Sequence, residues 1–297
     1  MKRIIITGAG GFIGSELTRK YVEAGYQVLA ISDMFNPEFP NSDLITKISV
    51  DITSPDILLR AIDKANYEAF YHLAWRGVNG PEKADPQVQT DNIKMALVCA
   101  TVAHEIGCKK FLCAGTIAER SVESLDNISK TSGGMLYGIS KYCTHLMLET
   151  YCKNIGLDFV WMQFSNIYGP KNKTGNLVSY TLGMLKEDKE ATFGPAIQPY
   201  DFIYIDDLID AAYKLGTSKT NRNIYFIGSG KPRILKEYLY QIGRECGKEE
   251  YIKIGERADD GIVYSYEMFD TSSLVNDIGN YIKYDFDSGI KKTILEY

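Results

Sequence analysis

Short apolar runs alternate with longer amphipathic stretches through the first half of the chain. Residues 4–7, 27–32, 48–52, 69–74, 110–114 and 159–164 form mainly apolar segments, the pattern of strands buried on both faces. Between them, residues 12–24, 56–64, 92–106 and 137–154 repeat their apolar positions at helical spacing. This alternation predicts an α/β fold, a doubly wound parallel sheet with helices on both faces. After Gly169-Pro170 the rhythm weakens, and a polar stretch over 171–176 leads into a short helix at 177–186. Then "YDFIYIDDLIDAAYKLG" and "NIYFIGSG" predict a helix and a strand that return to the main sheet. The expected division is a sheet domain of 1–165 plus about 200–228, and a smaller C-terminal α/β lobe of about 166–199 plus 229–297.

Composition narrows the class. The 297 residues suffice for a large buried core, and 45% hydrophobic with 24% charged gives no sign of disorder. A net charge of −5 argues against a nucleic-acid partner. No apolar run approaches the roughly 18 residues of a membrane span, and the N-terminus enters a strand without a cleavage signal. Six cysteines lack Cys-x-x-Cys spacing and three histidines form no cluster, so reduced thiols and no metal are expected. A soluble, cytoplasmic protein is the baseline.

Two motifs carry chemistry. "IIITGAGGFIGSEL" sets Gly8, Gly11 and Gly14 between an apolar strand and an amphipathic helix. In that context the first glycine permits a tight turn, the second lets the backbone approach a pyrophosphate, and the third lets helix pack on strand. The helix N-terminus then offers unpaired N–H groups and partial positive charge to phosphates. The second motif, "GMLYGISKYC", holds Tyr137 and Lys141 four residues apart, on one face of a helix. With 21 tyrosines, roughly one or two Tyr-x-x-x-Lys pairs arise by chance, so the spacing alone decides nothing. A nearby ammonium would lower a phenol from about 10 toward neutrality and let it exchange a proton.

The glycine spacing, with "VDIT", "YHLAW", Asn92, "CAGTIAE", "YGISK", "FSNIYGP", "NLV", "YDFIYIDD" and "ERADD" in this order, resembles the extended short-chain dehydrogenases/reductases of the nucleotide-sugar epimerase/dehydratase family. The likeness runs nearly end to end and implies a Rossmann-like fold, a homodimer through the 92–106 and 137–154 helices, and a nucleotide-diphosphate sugar as substrate. It implies a catalytic set of Thr116, Tyr137 and Lys141, with Thr116 at a strand end facing the ligand crevice; alone, Thr116 reads equally as a cap. Gly8, Gly11, Phe12, Ile13 and Gly14 would cradle the dinucleotide, with Leu73, Ala74, Trp75, Asn92, Ala114 and Phe164 around its other end. Asp51 and Ile52 resemble residues flanking the adenine, and read equally as a strand end with a helix cap.

Ser32 occupies the place where an acidic residue usually selects NAD, with Asp33 beside it. A serine tolerates a 2′-phosphate and Asp33 would repel one, so NAD or NADP both stand, with NADP slightly favoured for a reductase. On the substrate side the resemblance implies Asn166, Leu177, Val178, Tyr200 and Arg257. Arg257 is suited to clamp a diphosphate, or is a surface arginine. Tyr200 replaces an arginine usual in the family and could stack on a base or sugar. Arg76 reads either as a phosphate or carboxylate ligand or as surface cover. The family's dehydratases carry Asp-Glu directly after the Ser/Thr, whereas Ile117-Ala118 follow Thr116. Dehydration is therefore not expected. The substrate lobe, compact for the family, resembles that of the 4-ketoreductases more than that of the longer epimerases, which implies reduction of an NDP-4-keto-6-deoxy-hexose at C4. The alternatives are an NAD-dependent NDP-sugar 4-epimerase and, from another class, a dinucleotide sensor without chemistry.

Overall fold

A computed structural model describes residues 2–123, 133–172, 174–259 and 264–297. The chain begins β1 (Arg3–Thr7), α1 (Phe12–Glu23), β2 (Gln27–Ile31), β3 (Ile45–Ile48), α2 (Pro55–Ala61), β4 (Tyr67–His72) and α3 (Pro86–Glu105). It continues β5 (Lys110–Thr116), α4 (Ala118–Glu123), α5 (Gly133–Ile155), β6 (Asp158–Phe164), β7 (Asn166–Tyr168) and α6 (Leu177–Lys186). The rest is β8 (Ala191–Phe193), β9 (Pro199–Tyr200), β10 (Phe202–Tyr204), α7 (Ile205–Thr217), β11 (Ile224–Ile227), β12 (Arg233–Ile234), α8 (Leu235–Glu245), β13 (Ile252–Ile254), α9 (Ser272–Ile278) and α10 (Phe286–Leu295).

Seven strands form one sheet in the order β11-β6-β5-β4-β1-β2-β3, with every pairing parallel. Successive residues of β1 serve opposite faces: Ile4 and Ile6 enter a core with Leu17, Tyr21 and Leu208, while Ile5 enters another with Leu58, Cys99 and Leu148. Helices α1 and α7 therefore cover one face and α2, α3 and α5 the other, the doubly wound Rossmann-like arrangement expected from the alternation. Beyond β6 the short strands pair off as β7 with β10, β9 with β12, and β8 with β13.

Element boundaries differ from expectation in instructive places. The strand expected at 48–52 is β3, Ile45–Ile48. Ile48, Val50 and Ile52 are apolar because they pack from below on the second core, although Val50 and Ile52 lie beyond the strand. Helix α3 starts at Pro86, six residues before Asn92, because the Asp85 carboxylate caps the backbone N–H groups of Gln87 and Val88. Helix α5 likewise starts at Gly133, a full turn before Tyr137. Among the described residues no helix is long and apolar enough to cross a membrane, and no His/Cys/Asp/Glu cluster could hold a metal ion.

Candidate active site

Strand order reverses between β1 and β4, and ligand crevices open at the carboxyl ends of strands at such a switch point. The glycine turn lies there. Gly8 has φ 71°, and a Cβ on it would meet the Ala74 backbone nitrogen at 2.7 Å. A Cβ on Gly14 would lie 2.2 Å from the Gly8 carbonyl oxygen, so α1 rests directly on the turn. At Gly11 the only heavy atom so met is that same oxygen, at 3.2 Å, which leaves the outer side open to approach. Gly10, which the spacing argument passed over, is the tightest: its Cβ would lie 1.8 Å from the Met34 carbonyl oxygen. No side chain caps α1 at Gly11, so its first N–H groups face the crevice as a phosphate would require.

A cleft of about 350 Å³ follows the turn, bringing together Gly8, Gly11, Ser32, Asp33, Asp51, Ile52, Leu73, Ala74 and Trp75. Arg76 lines this cleft too, and its guanidinium pairs with the Asp33 carboxylate at 3.5 Å. The chain turns sharply after β4, which carries Arg76 back over the end of β2. Asp51 accepts from the Thr53 N–H and hydroxyl, bonds that hold its carboxyl below the usual range. Asn92 does not reach the cleft. Its amide is spent on Arg76, accepting from the backbone N–H and donating to the carbonyl, each at 2.8 Å, so it shapes the loop instead. The side chains of Phe12, Ile13 and Phe164 pack into the first core, while the backbone N–H groups of Phe12 and Ile13 belong to the uncapped start of α1.

Thr116 ends β5, where its hydroxyl oxygen accepts the Ala118 N–H at 3.3 Å and favours the ionised form of the nearby Tyr137 phenol. Tyr137 is half-buried, with the Lys83 ammonium 5.1 Å from its ring centroid. Burial raises the phenol well above its ordinary value, Thr116 opposes the rise, and the Glu119 charge adds to it. The expected lowering by Lys141 is absent because the ammonium turns elsewhere. Lys141 Nζ donates to the Ala114 carbonyl at 2.7 Å and lies 3.6 Å from the centre of the Trp75 ring. Desolvation lowers Lys141 to about 8, with Cys113 and Glu119 favouring its charged form. Ala114 thus enters the site through its carbonyl. Gln89, missed in the sequence, is buried on α3 and fixes Trp75 by accepting from the indole N–H at 3.1 Å.

A second cavity of about 270 Å³ lies among α6, β8, β9 and the segment after β13, lined by Leu177, Tyr180, Thr192, Tyr200, Arg257 and Tyr264 among others. Arg257 donates from Nε to the Thr192 hydroxyl at 2.8 Å and from Nη2 to the Tyr180 hydroxyl at 2.6 Å. Tyr180, another omission of the sequence reading, also stacks under the guanidinium at 4.9 Å. Tyr200 donates its hydroxyl to Asn166 Oδ1 at 2.8 Å, and the Asn166 amide donates to the Asp201 carbonyl at 3.1 Å. Val178 is buried among α6 core contacts and does not line the cavity, since it sits one residue round the helix from Leu177. Of the "ERADD" motif, Asp260 lies outside the described residues. Ile117 packs with Tyr264, which links the Thr116 strand end to this cavity.

Comparison with known proteins agrees with the geometry. Residues 4–228 match the NAD dependent epimerase/dehydratase family. The dTDP-6-deoxy-L-talose 4-dehydrogenase (NAD(+)) of Aggregatibacter actinomycetemcomitans is 28% identical over 244 residues, covering 78% of this chain and 86% of that protein. The UDP-glucose 4-epimerase of Mycolicibacterium smegmatis is 25% identical over 266 residues, covering 82% and 83%. The UDP-glucose 4-epimerase of Thermotoga maritima, solved with UDP-glucose, has the same fold, with a TM-score of 0.86 at 22% identity over 99% of this chain and 98% of that one. The chain belongs to the NAD dependent epimerase/dehydratase family and is an enzyme of it.

Proposed function

We propose that this protein is an NAD(P)-dependent reductase acting at C4 of a nucleotide-linked 4-keto-6-deoxy-hexose. The observation that carries the reading is the placement of Tyr137 edge-on to Trp75 of the cleft, with Lys141 one turn along α5 and its ammonium on the same Trp75 ring, beside a cleft that fits a dinucleotide. The cleft fits because three glycines remove side chains where main chain must pass, and α1 presents uncapped N–H groups. When bound, the reduced nicotinamide supplies the hydride that C4 accepts. Thr116 Oγ1 holds the C4 oxygen, and Tyr137 gives that oxygen its proton, so the carbonyl becomes a secondary alcohol. A phenol held high by burial stays protonated at neutral pH, the form a general acid needs. Lys141 and Trp75 close the side of the cleft toward α5, with Arg257 and Tyr200 set to hold the diphosphate and the base or sugar.

Of the two cofactors left open by the sequence, this reading takes NAD. Asp33 lines the cleft at the end of β2, where it can accept from ribose hydroxyls and would repel a 2′-phosphate. The 4-dehydrogenase relative carries NAD(+) in its name. Elimination of water is not part of the proposal. Glu119, the nearest carboxylate after Thr116, is fully buried with its oxygens engaged by protein N–H groups. A 4-epimerase is the second reading, favoured by the 25% identical mycobacterial relative; Tyr137 would then act first as a base. We also propose a homodimer through α3 and α5, whose outer faces expose Leu146 and Met147 and a shallow groove along Ile93, Leu97 and Val98. A monomer mass in solution would end that part.

The deciding experiment offers dTDP-, UDP-, GDP- and CDP-4-keto-6-deoxy sugars with NADH and NADPH and follows the nicotinamide absorbance. Stoichiometric loss of NADH with one sugar is expected. No consumption, together with dinucleotide released from denatured protein, moves the assignment to the epimerase.

A further inference from the structure

Behind the catalytic set lies a carboxylate that no step above uses. Glu119 is fully buried on α4, three residues after Thr116. Its Oε1 accepts the Thr116 backbone N–H at 2.6 Å, and its Oε2 accepts the Trp161 indole N–H at 2.8 Å and the Gln163 amide at 3.2 Å. Thr116 and Gln163 sit at the carboxyl-terminal ends of β5 and β6, and Trp161 at the middle of β6. Gly115 has no room for a side chain because Trp161 and Glu119 fill it: a Cβ there would meet the indole nitrogen at 2.3 Å. Three N–H donors and no hydroxyl donor are what an anion accepts and a protonated carboxyl cannot fully satisfy. The chain's two tryptophans flank Lys141, whose Nζ is 3.6 Å from the Trp75 ring centre and 5.9 Å from that of Trp161.

We infer that Glu119 is a positioning residue of the active site: as a carboxylate it fixes the end of β5 that presents Thr116 and sustains the positive charge of Lys141. The inference rests on the reading that Thr116, Tyr137 and Lys141 form the catalytic set. Thr116 from β5 and Trp161 and Gln163 from β6 are bonded to Glu119, and the titratable groups that interact electrostatically with it are Cys113 on β5, Lys141 and Tyr137 on α5, and Arg120 beside it on α4. Burial raises its carboxyl to about 7 against those hydrogen bonds and the Lys141 charge. The anion is therefore lost as pH falls through neutrality, when a proton enters among three N–H donors. Above about 8 it is Lys141 that discharges.

The test compares Glu119→Gln with the parent enzyme in the rate of NADH oxidation with the sugar that turns over, and in intrinsic tryptophan emission, from about pH 5 to about 9. Losing the carboxylate is expected to cost about tenfold to a hundredfold in rate near neutrality, the scale of charge-assisted hydrogen bonds. The acid limb of the profile should disappear and the alkaline limb move to lower pH, since Lys141 loses a supporting anion. The parent's emission should step near neutral pH as Trp161 senses Glu119, and the step should be absent in Glu119→Gln. Should Glu119→Gln fail to fold, Trp161→Phe carries the rate test without the emission readout, which it removes: losing one donor should move the acid limb upward. A parent-like rate, profile and emission step in Glu119→Gln, or a parent-like rate and profile in Trp161→Phe, overturns the role of Glu119. A fully active Tyr137→Phe enzyme instead overturns the catalytic set on which it rests.

Discussion

The cleft at the switch point and the cavity beside β8 are built from different materials. Around the cleft the backbone does the shaping: added Cβ atoms at Gly8, Gly10 and Gly14 would overlap main-chain atoms of residues 74, 34 and 8. Around the cavity side chains do it: Arg257 is held by the Thr192 and Tyr180 hydroxyls, and Tyr200 by Asn166. A backbone-built site tolerates one residue type per position, because nothing but glycine leaves the space. A side-chain-built site requires only that some set of groups fill and satisfy it. The first leaves little latitude at those positions, and the second admits more than one solution.

Tyr137 stands where these halves meet, and it offers the largest test of the comparison. Tyr137→Phe keeps the ring against Trp75, 6.2 Å between centroids and edge-on, but removes the only proposed proton donor. Turnover should fall by about 10² to 10⁴, the usual worth of a positioned acid. Dinucleotide affinity, read by quenching of the two tryptophans, should stay within a few-fold of the parent by the size of a single neutral hydrogen bond. Equal losses of turnover and affinity would mean that the phenol belongs to the binding cleft rather than to the chemistry.

Within the cleft, Gly14→Ala and Gly11→Ala should separate packing from binding. Alanine at position 14 places a methyl 2.2 Å from the Gly8 carbonyl oxygen, so α1 or the turn must move. A cost of about 1–3 kcal/mol is expected, seen as a thermal midpoint lower by several degrees. At position 11 the methyl meets one atom at 3.2 Å, so stability should change little while dinucleotide affinity drops, because the methyl occupies the open approach. Equal melting losses in both would show that the turn has no side reserved for a ligand.

This contrast also explains what could be read from the sequence. The sheet, its helices and the glycine turn were legible because periodicity and glycine spacing are written locally, one element at a time. Thr116 and Tyr137 were legible as residues, but the direction of the Lys141 ammonium was not. It depends on the Ala114 carbonyl and on Trp75, which are 27 and 66 positions away. Asn92, Gln89 and Glu119 fail in the same way, since each is a polar residue whose partners come from another element. The pairing of Arg76 with Asp33 was not legible either, because the path of the chain after β4 is set by Gly77, with φ 63°, and Gln89, not by local pattern.

In the cavity, Arg257→Ala tests whether the side-chain-built half serves binding. Removing the cation proposed to hold the diphosphate should raise KM for the nucleotide sugar about tenfold to a hundredfold, the worth of a charge-assisted hydrogen bond, with kcat little changed. The variant should melt close to the parent, since Arg257 is exposed and its partners Tyr180 and Thr192 remain bonded to each other at 3.2 Å. A fall in kcat with unchanged KM would place the arginine at the reacting carbon instead.

The smallest effect should come from Tyr200→Phe, and it asks what the tyrosine contributes in place of an arginine. The ring would remain against Phe202 and Tyr264, at 5.0 and 6.2 Å, while the hydroxyl bond to Asn166 is lost. A neutral hydrogen bond of this kind is worth about 0.5–1.5 kcal/mol, a change in KM of a few-fold to about tenfold. Tyr200→Ala should cost more than Tyr200→Phe if the ring itself stacks on the substrate. Combining Tyr200→Phe with Asn166→Ala should then cost less than the sum of the two, because both break one contact. Strict additivity would mean that Tyr200 and Asn166 meet the substrate separately, and that the cavity is closer to the backbone-built cleft than its side chains suggest.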